Sequence, residues 1–187
     1  MPASKAKVML VDDHAMLRYG MAMLINLEPD MEVFAEAGDC GEALATLKAG
    51  HHPDIVLMDV SLKTHSGFGV IKRMHSRMPA LPVLVVSLHD EAVYAERALR
   101  AGARGYVMKQ ESGKVLVIAI REVLKGHYYL SKPMQASLLN RVATGNSETE
   151  PLNSLTPSEF EVLHLIGAGN SSADLMRYAT QWISEEH

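Results

Sequence analysis

The strongest constraint on this chain is a rhythm of short apolar runs, each bounded by polar residues and followed by a helical pattern. Val8-Met9-Leu10-Val11 runs into Asp12-Asp13, and Ile55-Val56-Leu57-Met58 runs into Asp59. Val83-Leu84-Val85-Val86 ends at Ser87, and Gly105-Tyr106-Val107-Met108 ends at Lys109. A run too short for a helix and apolar without alternation reads as a strand buried on both faces, as in a parallel sheet. Glu32-Val33-Phe34-Ala35-Glu36-Ala37 has polar margins and reads as a further strand nearer an edge.

Helical spacing fills the intervals. Leu17, Met21, Leu24 and Ile25 form one stripe, and Ala43, Leu44 and Leu47 form a short one before Gly50. Val70, Ile71 and Met74 follow Gly67; the segment Glu91 to Ala101 stops at Gly102. Leu116, Ala119, Ile120, Val123 and Leu124 give the clearest stripe, closed by Gly126. Five strand-then-helix units at a spacing of 22–28 residues predict an α/β fold, a doubly wound five-stranded parallel sheet of flavodoxin-like order 2-1-3-4-5. Right-handed crossovers leave few other arrangements.

That order makes the chain reverse direction between the first and third strands, so Asp12, Asp13 and Asp59 line the crevice there. Ser87 and Lys109 reach the same edge from the fourth and fifth strands. Any one of these residues is most simply a turn former or helix cap. Five such groups at consecutive strand ends are a constellation. Converging carboxylates repel one another unless a cation neutralises them, and a few all-oxygen ligands suit Mg²⁺, which keeps waters that phosphoryl oxygens can replace. Lys109 adds a point charge and Ser87 a hydroxyl. Asp59 lies between them as the natural phosphoryl acceptor.

Residues 6–128 resemble the receiver domain of two-component response regulators of the NarL/FixJ type. The resemblance is carried by Val11-Asp12-Asp13-His14, Met58-Asp59-Val60-Ser61-Leu62 with Gly67 eight residues past Asp59, Val86-Ser87, and Gly105-Tyr106-Val107-Met108-Lys109. It implies that Asp59 takes a phosphoryl group from a sensor histidine kinase. It also implies a Mg²⁺ site made by Asp13, Asp59 and the Ser61 carbonyl, with Asp12 acting through water. Ser87 and Tyr106 would be the switch pair: the hydroxyl moves to the phosphoryl group and the ring turns into the vacated space. Ser61 and His89 stand where the family tunes the lifetime of the acyl phosphate. Two positions depart from the common pattern: Lys63, within Lys63-Thr64-His65, and Gln110 replace prolines found in many receivers.

The remaining residues divide into a linker, 129–153, with a short helix around Met134–Val142, and a tail, 154–187. Leu155-Thr156-Pro157-Ser158-Glu159-Phe160 is a helix start with Thr156 as N-cap, Pro157 at N1 and Glu159 completing a capping box. With Val162-Leu163 and Gly169 it resembles the opening of a LuxR-type helix-turn-helix, which implies DNA as a partner and transcription as the output. That family needs a basic recognition helix, yet the tail has five acids against the single base Arg177. Its net charge of −4 equals that of the whole chain, so the DNA-reading part is expected to be missing or degenerate.

Several classes are excluded or demoted. One cysteine, Cys40, gives no disulfide framework, and no apolar run approaches the roughly 20 residues of a membrane span. A cytoplasmic protein with no membrane partner is expected. The remaining histidines, His51-His52, His75 and His127 among them, show no ligand spacing and read as solvated. A receiver acting through protein contacts alone, including a phosphorylation-dependent homodimer, is the alternative function. An aspartyl-nucleophile phosphatase fits less well, because such enzymes commonly carry a second Asp where this chain has Ser61. The chain reads as a regulator and not an enzyme.

Overall fold

The computed structural model describes residues 4–50, 52–62 and 67–144. The helix-turn-helix reading of 154–187 and the departure at Lys63-Thr64-His65 lie outside the described residues. Among the described residues no helix is long and apolar enough to cross a membrane.

Five parallel strands form one sheet in the order β2-β1-β3-β4-β5, as the spacing predicts. They are β1 (Ala6–Val11), β2 (Met31–Ala37), β3 (Ile55–Met58), β4 (Val83–Ser87) and β5 (Gly105–Met108). Five helices connect or follow them: α1 (Ala15–Asn26), α2 (Cys40–Lys48), α3 (Gly67–Arg77), α4 (Glu91–Ala101) and α5 (Gly113–Leu124). All four residues of β3 and all five of β4 are buried, which is why these runs are apolar without alternation. β2 lies at the edge and keeps polar margins.

Successive strand side chains point to opposite faces, so the sheet sorts its own core into two. Met9, Val11, Val56 and Met58 pack on one side with α2, α3 and α4. Val8, Leu10, Ile55 and Leu57 pack on the other with α1 and α5. Leu57, 1% exposed on the third strand in sequence and the middle one of the sheet, is the sort of residue whose truncation to Ala costs about 2–5 kcal/mol.

Local chemistry ends the helices where expected. Asp39 accepts from the Glu42 amide at the start of α2, and Asp90 accepts from Ala92 at the start of α4. Gly102 closes α4 at φ +107°, a conformation that L side chains rarely adopt. α1 differs from its predicted stripe. Its buried residues are Ala22 and Ile25, while Leu17 and Leu24 are exposed, with Met16, Met23 and Leu27 more so. The helix rests on a narrow seam against β2, β1 and α5 and leaves much of its apolar surface outward.

The stretch after α5, read from the sequence as a polar linker around a short helix, begins by adding to the sheet. The Tyr106 amide donates to the Tyr129 carbonyl at 3.0 Å, and the Tyr129 amide donates to Arg104 at 3.0 Å. Gly105 permits this approach, since a Cβ there would lie 2.6 Å from the Tyr129 carbonyl oxygen. A sixth helix, α6 (Lys132–Thr144), follows, and Leu130 and Met134 are buried in the α4-side core.

Candidate functional site

Asp12, Asp13, Asp59, Ser87 and Lys109 all arrive at the carboxyl edge of the sheet, while Tyr106 lies within β5, paired with Val85. β1 delivers Asp12 and Asp13, and the strand beside it delivers Asp59; the Asp59 amide donates to the Val11 carbonyl at 2.9 Å, which ties the two strand ends together. Asp12 and Asp59 are buried at 1% and 2% exposure, an environment that carboxylates enter only with partners.

Lys109 supplies the partner. Its Nζ lies 2.7 Å from Asp12 Oδ2 and 2.7 Å from Asp59 Oδ2, and its side chain is almost wholly buried. Burial works to lower the ammonium pKa, but hydrogen bonds to Asp12 and Asp59 outweigh it and hold the group above the ordinary lysine range. Lys109 is placed by its own amide, which donates to the Ser87 carbonyl at 2.7 Å where β5 leaves the sheet beside β4.

The second oxygen of Asp59, Oδ1, accepts the Ser61 amide at 2.9 Å. Ser61 Oγ is in turn 3.3 Å from Ser87 Oγ, so Ser61 links the two strand ends. Ser87 is fully buried, and its Oγ also accepts the His89 amide at 3.3 Å. Tyr106 completes the chain of contacts: its ring is 1% exposed and its hydroxyl donates to the His89 carbonyl at 3.0 Å. Burial pushes the Tyr106 phenol above its ordinary range. The predicted pair, Ser87 and Tyr106, therefore meets through His89, and the ring already lies inward.

Asp13 is less deeply placed than Asp12. Its Oδ1 lies 2.8 Å from Nδ1 of His14, and one ligand atom each from Asp12, Asp13, His14 and Asp59 fall within 4.8 Å of one another. A single divalent ion spans such a set, because ligands at about 2.0–2.6 Å from one centre lie no more than about 5 Å apart. Three carboxylates in a confined space are hard oxygen donors whose summed charge exceeds what Lys109 alone offsets. The residues fit a cation.

Two residues without an assigned role in the sequence reading shape this pocket. Arg18, on α1, donates from Nη1 to the Asp12 carbonyl and from Nε to Glu36 at 2.9 Å. It pins the end of β1 against the end of β2. His14 is the other, held by its own amide, which donates to Asp12 Oδ1 at 2.8 Å. Nothing in the periodicity marks Arg18, while His14 stands next to the acidic pair and could have been found by that adjacency.

A family model of the response regulator receiver domain matches residues 8–121. The oxygen regulatory protein NreC of Staphylococcus haemolyticus (strain JCSC1435) is 33% identical over 175 residues, spanning 90% of this chain and 80% of that relative. A LuxR-family two-component response regulator from Aurantimonas sp. SI85-9A1 superposes with a TM-score of 0.68 at 35% identity, over 75% of this chain and 99% of that one. The signal receiver domain of NarL from Mycobacterium tuberculosis gives a TM-score of 0.63 at 32% identity, over 67% and 100%. The chain belongs to the response regulator receiver domain family, the receiving component of two-component systems. Within that family its relatives include the oxygen regulatory protein NreC and the receiver domain of the response regulator NarL.

Proposed function

We propose that Asp59 is the phosphoryl acceptor of a phosphorelay, charged by a sensor histidine kinase and read out through Ser87 and Tyr106. The observation that carries this reading is the double engagement of Asp59, by Lys109 on one oxygen and the Ser61 amide on the other. A carboxylate oxygen forms the new bond to phosphorus as the bond from phosphorus to the kinase imidazole nitrogen breaks. The developing charge falls among Lys109, the Ser61 amide and the Ser87 hydroxyl, so the site acts by positioning and neutralisation.

The acidic pocket suits Mg²⁺, which Asp13, Asp59 and the Ser61 carbonyl would hold, with Asp12 acting through water. When bound it would offset the negative charge shared by the carboxylates and the incoming phosphoryl group. Phosphorylation adds about −1.5 to −2 charges and three acceptor oxygens beside Ser87. Ser87 Oγ would exchange Ser61 and the His89 amide for that group. The His89 carbonyl is also the acceptor of the Tyr106 hydroxyl, so the change passes to the start of α4.

In this reading the chain is a cytoplasmic regulator and not an enzyme, and transcription is its output. Likeness to NreC, an oxygen regulatory protein, and to a LuxR-family response regulator supports transcription as that output. Residues 154–187 as they stand carry one base, which argues against tight DNA contact by that segment. Output through protein contacts alone is the second reading, and the same charge deficit favours it. Labelling with acetyl phosphate and Mg²⁺ tests the assignment: wild type should take up one phosphoryl group and Asp59→Asn none. Undiminished labelling of Asp59→Asn sinks it. A mobility-shift assay separates the two outputs.

A further inference from the structure

His14 occupies the N-cap position of α1, with φ −90° and ψ 93°, yet its side chain makes no capping hydrogen bond. The imidazole turns to the acidic pocket instead. Its Nδ1 is 2.8 Å from Asp13 Oδ1 and 3.4 Å from Asp12 Oδ1, and its backbone amide is fixed to that same Asp12 oxygen. The ring is thus held at both ends of the Asp12-Asp13 pair, while its side chain stays 47% exposed and open to exchange.

We infer that His14 is a nitrogen ligand in the acidic pocket and gives it a preference for divalent transition ions. The imidazole then joins Asp13, Asp59 and the Ser61 carbonyl around the ion, with Asp12 behind a water; atoms of His14 and of the three carboxylates lie within 4.8 Å of one another, close enough to serve one ion. Mg²⁺ takes oxygen ligands and gains nothing from an imidazole, whereas Co²⁺ and Zn²⁺ gain from nitrogen donors, and Co²⁺ more than Mn²⁺. The carboxylates hold any divalent ion, and His14 discriminates among them. The consequence is a receiver whose ion, and hence the charge beside Asp59, depends on which divalent metal is abundant.

This inference rests on the acidic pocket holding a divalent ion, as proposed above. A simpler role for His14 is a positive partner for Asp13 that any entering ion displaces. The two roles differ in their consequences. Removing a displaced partner shifts Mg²⁺ and Co²⁺ affinity together and in the same direction; removing a ligand weakens Co²⁺ alone.

The experiment is calorimetric titration of the full chain with Mg²⁺ and, separately, Co²⁺, for wild type, His14→Ala, His14→Asn and Asp13→Asn. Asn keeps a polar N-cap while lacking the imidazole, so agreement between the two His14 variants separates ligation from helix fraying. Loss of an outer-sphere partner alone typically costs about 10–100-fold in metal affinity, so both His14 variants should weaken Co²⁺ by about tenfold or more. Mg²⁺ should move by less than about twofold, since it makes no use of the ring. The chain has nine histidines, so Co²⁺ binding is scored only as the fraction that Mg²⁺ competes away. Equal shifts for both ions, or none for Co²⁺, overturn the role of His14 and leave the Mg²⁺ reading standing. Mg²⁺ binding that Asp13→Asn leaves untouched overturns the pocket itself, and with it this inference.

Discussion

The carboxylate of Glu91, at the first residue of α4, accepts the backbone amide of Ser131 at 2.8 Å across 40 residues of sequence. Glu91 is 7% exposed, so this contact is a buried anchor and not a surface bridge. It fastens the segment leading into α6 to the helix that follows Ser87 and His89. Leu130 and Met134 pack on the same side, and the Tyr129 carbonyl receives the amide of Tyr106. The connector to the rest of the chain is therefore held by the two elements that flank the proposed switch.

Replacing Glu91 should loosen that connector without touching the phosphoryl pocket. Glu91→Ala leaves the Ser131 amide without its partner, at a cost of about 1–3 kcal/mol. Glu91→Gln keeps a carbonyl acceptor and should lose less than half as much. Hydrogen exchange at residues 129–134 should quicken in the Ala variant while α1 and β3 stay protected. Uniform quickening across the chain would mean that the anchor is part of global stability only.

Gly67 is required by the approach of α3 to the strand end that carries Asp59. A Cβ at Gly67 would lie 2.5 Å from the Val60 Cα and 2.9 Å from the Asp59 carbonyl oxygen, both backbone atoms with little room to shift. Gly67→Ala should cost about 1–3 kcal/mol through overpacking and should slow Asp59 labelling. Gly69, in the same helix, has nothing within 4 Å of a built Cβ, so Gly69→Ala should be neutral or stabilising by up to about 1 kcal/mol. Urea titration of the two variants checks the contrast; equal destabilisation would show that helix context, and not the Val60 contact, decides.

Much of this architecture was legible in the residues themselves. Apolar runs ending at Asp13, Asp59, Ser87 and Lys109 specified strand order and the crevice together, because period and length leave one economical topology. The α1 stripe misled, since Leu17 and Leu24 keep helical spacing yet face outward; periodicity reports that a face is apolar and not whether anything covers it. The connector was harder still. Tyr129-Leu130 and Met134, with Ser131-Lys132-Pro133 between them, follow neither a strand nor a helix period, and only the fold brings them to β5 and α4. Arg18 and Glu91 escaped for a related reason: Arg18 reaches the Glu36 side chain on the next strand and Glu91 a backbone amide 40 residues away, contacts that no local pattern records.

Lys109 is the cation on which two buried carboxylates depend. Lys109→Met removes it while keeping volume, and leaves Asp12 and Asp59 buried without their counter-charge. Removing one partner of a buried ion pair typically costs about 3–5 kcal/mol. A divalent ion should recover part of that loss, so the variant's stability should become more Mg²⁺-dependent than wild type's. Thermal melts with and without saturating Mg²⁺ measure both effects. A variant that melts like wild type in the absence of metal would show that the carboxylates find relief elsewhere.

Tyr106 sets an alkaline limit on stability. Burial raises its phenol above the ordinary value of 10.0, so the neutral form is favoured in the folded chain. The sign follows from that direction: the contribution is complete below pH 10.0, where both states are protonated, and is lost as pH rises and the unfolded state ionises first. Each proton so released steepens the decline by about 1.36 kcal/mol per pH unit. Tyr106→Phe removes that term, so its stability should fall less steeply above pH 10.0 than wild type's. At neutral pH the variant should be weaker by about 0.5–1.5 kcal/mol, the usual worth of one hydrogen bond, here the one to the His89 carbonyl. The two curves should therefore converge as pH rises, and urea midpoints taken from neutrality into the alkaline range decide it. Parallel curves would place Tyr106 in contact with water in the folded chain, contrary to its 1% exposure.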